Sequence, residues 1–164
     1  MENLYRIFQK NRHNPTLVER ESLIRNISGK KSMNAEDLRA ILEYKGLPEH
    51  TARSLIEKYT QQAFQEESLE EKIKNLRRLN GVGVVAASTI LSIQNPYKHA
   101  ELDHDTWETL KKEYGMESTG KDKKSDYGVK EYLRYNSLIQ QIAEEHGMRM
   151  SDVQFTLKLL NKKG

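Results

Sequence analysis

Residues 79–91 read Leu79-Asn80-Gly81-Val82-Gly83-Val84-Val85-Ala86-Ala87-Ser88-Thr89-Ile90-Leu91, a glycine pair set between two helical patterns. Upstream of it, Leu69, Ile73, Leu76 and Leu79 recur at spacings of three and four, the mark of an amphipathic helix. Downstream, residues 84–91 are small or apolar nearly throughout. A helix of that composition is expected to be buried on most sides, with Ala86 and Ala87 letting a partner helix come close. A tight turn between the two patterns needs glycine where a Cβ would obstruct the backbone. Val82, between the glycines, is placed to plug the apolar space between the helices. The expected element is a helix-hairpin-helix at 69–94.

Such a corner has a chemical consequence. Gly83 opens the second helix, so several backbone N–H groups there lack intrahelical partners. Together with the helix dipole they suit an anion, and a phosphate can come close because glycine carries no side chain. Gly81, Val82, Gly83, Val84 and Val85 are therefore candidate contacts to the sugar-phosphate backbone of double-stranded DNA. Contacts of this kind position DNA without reading its sequence. An ordinary αα-hairpin uses the same glycines for packing alone, and that alternative stays open on these residues.

Outward from the hairpin, helical periodicity continues. Ala52, Leu55, Ile56, Tyr59 and Ala63 share one face, as do Tyr132, Tyr135, Ile139 and Ile142. Thr16/Glu19, Ser68/Glu71, Asp105/Glu108 and Ser151/Gln154 have capping-box spacing. Gly29, Gly46, Gly115 and Gly147 are stop signals. Helices are expected near 2–11, 16–27, 35–44, 49–65, 69–79, 84–94, 105–114, 128–146 and 151–161. The expected fold is all-α, one compact helical domain over 1–164. The connector at 115–128 differs in composition, with Lys121, Lys123 and Lys124 beside Asp122 and Asp126. It is either a solvated loop or a second phosphate contact through its three lysines.

Composition narrows the function classes. Hydrophobic residues at 36% allow a core, and charged residues at 31% leave a polar surface. The absence of cysteine excludes a disulfide scaffold, a thiol nucleophile and a Cys-based zinc site. No apolar run approaches the ~20 residues that span a bilayer, and the N-terminus lacks the apolar stretch of a signal peptide. The net charge of +3 permits a polyanionic partner without demanding one. The expectation is a cytoplasmic monomer, nucleoid-associated in a prokaryote, with no membrane partner.

The stretch from Gly81 to Asp103 resembles the core of the helix-hairpin-helix DNA glycosylase superfamily. In that family the hairpin leads to a buried helix and a loop, and an aspartate then stands at the start of the next helix. Here Val84–Gln94 is followed by Asn95-Pro96-Tyr97-Lys98-His99-Ala100-Glu101-Leu102-Asp103. Apolar Leu102 precedes the aspartate, as the family prefers. Ala87-Ser88-Thr89-Ile90-Leu91, Asn95-Pro96-Tyr97, Leu102-Asp103 and Trp107 echo short bacterial and archaeal relatives, and so does the Tyr44-Lys45 region. The resemblance implies a DNA-glycosylase-like fold and a role in base excision repair. The implied activity is monofunctional DNA N-glycosylase, with Asp103 as the catalytic carboxylate. Bifunctional members carry a lysine two residues beyond the second glycine, where this chain has Val85, so Schiff-base cleavage from that position is not expected. The resemblance requires no cofactor and allows a monovalent cation, K+ or Na+, on hairpin carbonyls.

Asp103 suits that chemistry on its own terms. Base release builds positive charge on the sugar, and a carboxylate beside the anomeric carbon stabilises it or orients the attacking water. The base must leave the stack for a pocket, and Tyr97 and Trp107 are the candidate walls. Asp103 is otherwise a helix N-cap, although the Asp105/Glu108 spacing would make it redundant as one. Three alternatives remain. A non-enzymatic DNA-binding protein would keep the hairpin without the chemistry. A helical protein-interaction module would use the hairpin only structurally. His104-Asp105, with His50 and Asp152, would suit a metal-dependent phosphohydrolase.

Overall fold

The computed structural model describes residues 3–47, 53–117 and 127–163. Among them are nine helices and no strand. They are α1 (Leu4–Lys10), α2 (Pro15–Ile27), α3 (Ala35–Lys45), α4 (Arg53–Gln65), α5 (Leu69–Leu76), α6 (Val84–Gln94), α7 (His104–Tyr114), α8 (Val129–His146) and α9 (Met150–Lys163). Each expected helix is present, with ends shifted by a few residues. No helix among the described residues is long and apolar enough to cross a membrane.

The caps explain several of the shifts. Ser68 accepts from the Glu71 N–H as its spacing predicts. The Thr16/Glu19 pair does not start α2. Asn14 does, accepting from the Thr16 and Leu17 amides, with Pro15 in the first turn where its missing N–H costs nothing. Ser151 lies inside α9 rather than before it.

α6 is the centre of the molecule. Its Val84 and all residues from Ala86 to Ile93 are buried, and it packs on α2, α3 and α5. An apolar helix with neighbours on every side is what its composition requires. The most extensive pairing is α7 on α9. There the Thr106 hydroxyl donates to the Gln154 carbonyl at 3.1 Å and the Thr109 hydroxyl to the Leu157 carbonyl at 2.7 Å. Both hydroxyls are buried polar groups that keep a partner.

α9 is also tied to α2 by charge. Arg20 is almost wholly buried, at 2% exposure. Its guanidinium donates to the Ser151 carbonyl at 2.5 Å and to Asp152 at 2.7 Å. Arg149 binds the same Asp152 and reaches Glu21 on α2. A buried cation is tolerated when it is paired in this way.

Candidate nucleic-acid interface and the Asp103 pocket

Between α5 and α6 the chain turns tightly around the two glycines. After α5 the chain makes a series of turns, with Leu79 N–H donating to the Leu76 carbonyl and Val82 N–H to the Leu79 carbonyl. Gly81 takes a φ of 85°, a left-handed conformation that a side chain disfavours. Val82 is buried, 6% exposed, and belongs to the core. Asn80, Gly81 and Gly83 are exposed around it.

Gly83 is the N-cap of α6, with extended backbone and no side-chain cap. A Cβ built on it would meet nothing within 4 Å. Nothing inside the protein therefore demands glycine there. The first amides of α6 point out of an open, uncapped helix end, which is the arrangement an anion needs.

The segment before α7 is pinned from two sides. The Leu102 N–H donates to the Ser88 hydroxyl of α6 at 2.8 Å. The Tyr132 and Tyr135 hydroxyls of α8 donate to the Ala100 and Glu101 carbonyls at 2.8 and 2.6 Å. The Ala100 N–H donates to Asn136 at 2.8 Å. This bracing places Asp103 beside the first turn of α6.

There a pocket of about 380 Å³ opens, lined by Lys45 at the end of α3, Leu47 just after it, Val85 of α6, Leu102, Asp103 and His104 at the start of α7, and Tyr127. Its volume is within the range of small-molecule sites. His104 Nδ1 and the Tyr127 hydroxyl are hydrogen-bonded at 2.8 Å. Lys45 donates to the buried Glu101 at 2.5 Å, and Thr89 also donates to that carboxylate.

Asp103 is the N-cap of α7 and accepts from the Thr106 N–H at 3.2 Å. This corrects the expected Asp105/Glu108 cap. Asp105 instead accepts from Asn161 of α9 at 2.8 Å. The second Asp103 oxygen takes the Lys158 ammonium of α9 at 3.1 Å. The Asp103 side chain is 12% exposed. Burial opposes its ionisation, but Lys158 and Lys45 and the two hydrogen bonds outweigh burial and hold its pKa below the ordinary carboxyl value.

The two aromatic residues expected to wall the base pocket do not do so. Trp107 is wholly buried, stacked on Tyr135 with ring centroids 5.9 Å apart and tilted against Tyr127 at 4.8 Å. It supports the Tyr127 wall from behind. Tyr97 is exposed at 69%, but it borders a different groove, with Met148 and Arg149. The Arg149 guanidinium lies 5.9 Å from its ring centre. Lys121, Lys123 and Lys124 lie outside the described residues, as does His50. Asp152 is held by Arg20 and Arg149, and among the described residues no three His, Asp or Glu side chains converge as metal ligands.

Lys158, Tyr127 and the exposed pair Arg77-Arg78 escaped the local pattern. The arginines directly precede the hairpin and were legible as a dibasic step. Lys158 was not, since it meets Asp103 across 55 residues of sequence. Compared with family models, curated proteins and solved structures, the chain matches none.

Proposed function

We propose that this protein binds duplex DNA through the 79–85 corner and releases a modified base, with Asp103 as the carboxylate that stabilises the sugar cation. One observation carries the proposal: Val85, two residues past Gly83, and Asp103 border the same pocket. A strand held by its phosphate at the α6 amides would present a flipped nucleotide to that pocket. Leu47, Leu102 and Tyr127 supply its apolar wall. The ionised state of Asp103 is the one that chemistry requires.

A monovalent cation at the hairpin belongs to the same proposal. Backbone carbonyl oxygens are suitable ligands for a hard ion. The Leu76 and Leu79 carbonyls each accept one amide proton and keep a second lone pair. The donor chemistry fits.

A second reading has its own support. Asp103 caps α7 with one oxygen and binds Lys158 with the other, so both oxygens are engaged. A DNA-binding protein without chemistry would need the aspartate only for that. A base-release screen over duplexes carrying different lesions separates the two. Release that disappears in Asp103→Asn supports catalysis. Binding without release from any duplex supports the second reading. Gly83→Ala tests the corner itself, because the fold leaves room for the methyl group. It is expected to weaken binding to every duplex alike, and unchanged affinity would remove the corner from the interface.

A further inference from the structure

Four cations gather on one facet beside the hairpin. Lys74 lies in the last turn of α5, Arg77 and Arg78 follow it, and Lys58 comes from the neighbouring α4. All four are exposed. Among the described residues, none has a carboxylate within ion-pair distance. Lys74, Arg77 and Arg78 border a shallow groove of about 600 Å³ with Glu70 and Val129. Tyr59 of α4 anchors the group. The Lys58 ammonium lies 5.6 Å and the Arg78 guanidinium 5.8 Å from its ring centre.

The negative end of the α5 dipole accounts for a cation in its last turn. It does not account for Lys58 on another helix, nor for Arg78 beyond the end of α5. Like charges brought together without partners repel in the free protein. Binding a polyanion removes that repulsion and releases the counterions condensed on the polyanion. Only Glu70 opposes them in the groove, so the facet stays net positive.

From these observations we infer that the Lys58-Lys74-Arg77-Arg78 facet is a backbone track for duplex DNA. The inference rests on the proposed function for the identity of the polyanion. The track continues from the glycine corner, because Arg78, Asn80 and Gly81 are all exposed within four residues of chain, on either side of the buried Leu79. The phosphate run therefore leaves the corner along α4 and α5, and the 118–126 connector is not required for it. The chemistry is sequence-independent, with guanidinium and ammonium groups set against phosphate oxygens.

The experiment measures duplex affinity as a function of salt for five proteins. They are the wild type, Lys74→Ala/Arg77→Ala/Arg78→Ala, Arg77→Lys/Arg78→Lys, Lys121→Ala/Lys123→Ala/Lys124→Ala, and Gly83→Val. Each phosphate contact contributes ~0.9 to the slope of log affinity against log salt, so the first triple variant is expected to lose about 2.7 of it. The Arg→Lys variant is expected to keep the wild-type slope, because it keeps the charges. The loop-lysine variant is expected to keep it too. An unchanged slope in the first triple variant, or a loss that falls on the loop-lysine variant instead, overturns the facet while leaving the corner in place. An unchanged Gly83→Val beside a weakened triple variant overturns the corner and leaves the facet. No salt-dependent duplex binding by the wild type overturns both.

Discussion

Asp103 is given two roles by its surroundings, and two substitutions separate them. Asparagine caps a helix about as well as aspartate, whereas alanine does not. Asp103→Asn therefore keeps the hydrogen bond to the Thr106 N–H and loses the charge facing Lys158. Asp103→Ala loses both. The ion pair is partly screened, with side chains 12% and 27% exposed, and its loss costs about 1 kcal/mol once screening is allowed for. The lost cap costs about 1 kcal/mol more. For a chain of this size each kcal/mol lowers Tm by about 2–4 °C. The asparagine variant is thus expected to melt ~2–4 °C below wild type, and the alanine variant ~4–8 °C below. The Asp103 pKa is depressed in the fold, so its charge contributes stability that is complete above the ordinary carboxyl value. That contribution is lost as pH falls through the depressed one. The asparagine variant lacks this acid-side loss. Base release, if Asp103 is catalytic, falls by on the order of 10²-fold or more in the asparagine variant, with DNA affinity nearly intact. Calorimetry and a single-turnover release assay on the same samples give both answers. Parental release rates in Asp103→Asn would refute the catalytic role, and an Asp103→Ala protein as stable as the asparagine variant would refute the cap.

Other positions give further tests. His99 is buried, and burial, with Lys72 and Lys98 nearby, lowers its pKa to about 4. The unfolded chain binds that proton near its ordinary value, so stability is complete above it and falls by ~3 kcal/mol as pH drops towards 4. Urea titrations at pH 7 and 4.5 should show most of that loss, about 2 kcal/mol, and His99→Gln should flatten it. A wild type equally stable at both values contradicts the buried neutral state. Trp107→Ala empties a fully buried, stacked site and should cost ~3–5 kcal/mol by urea unfolding. A cost under ~1 kcal/mol would mean the ring is not core. Gly81→Ala should destabilise by about 1 kcal/mol or more because of its positive φ, whereas Gly83→Ala should be neutral or slightly stabilising. The reverse order of melting temperatures would show that the turn is misassigned.

The helices were legible because their determinants are local. Residues three and four apart share a face, and caps and glycines sit at the ends, so each pattern is complete within a dozen residues. The glycine turn between α5 and α6 was legible for the same reason, and Val82 and α6 are buried as their composition demands. The errors arise where distant chain segments decide. Asp103 and Asp105 are equally good caps on paper. Asn161, fifty-six residues away, takes Asp105 and leaves the cap to Asp103. Tyr97 and Trp107 flank Asp103 in sequence, but the turn at Pro96 and the packing of α7 send them elsewhere, and Tyr127 takes the wall. Lys45 borders the pocket from α3, and Lys158 pairs with Asp103 from α9, a convergence that no single helical pattern encodes.

The seal that α9 places over α7 also sets a timetable. A ribosome delivers residues at about 5–20 per second, so α7 waits ~2–8 s for the helix that covers it. Collapse of the chain emerging first takes microseconds. The hydroxyls of Thr106 and Thr109 lack their α9 carbonyl partners, and Arg20 has Glu21 but not Asp152, throughout that interval. Docking of α9 therefore completes the burial of the α7 flank. Before it, a holdase has a bare helical flank to grasp.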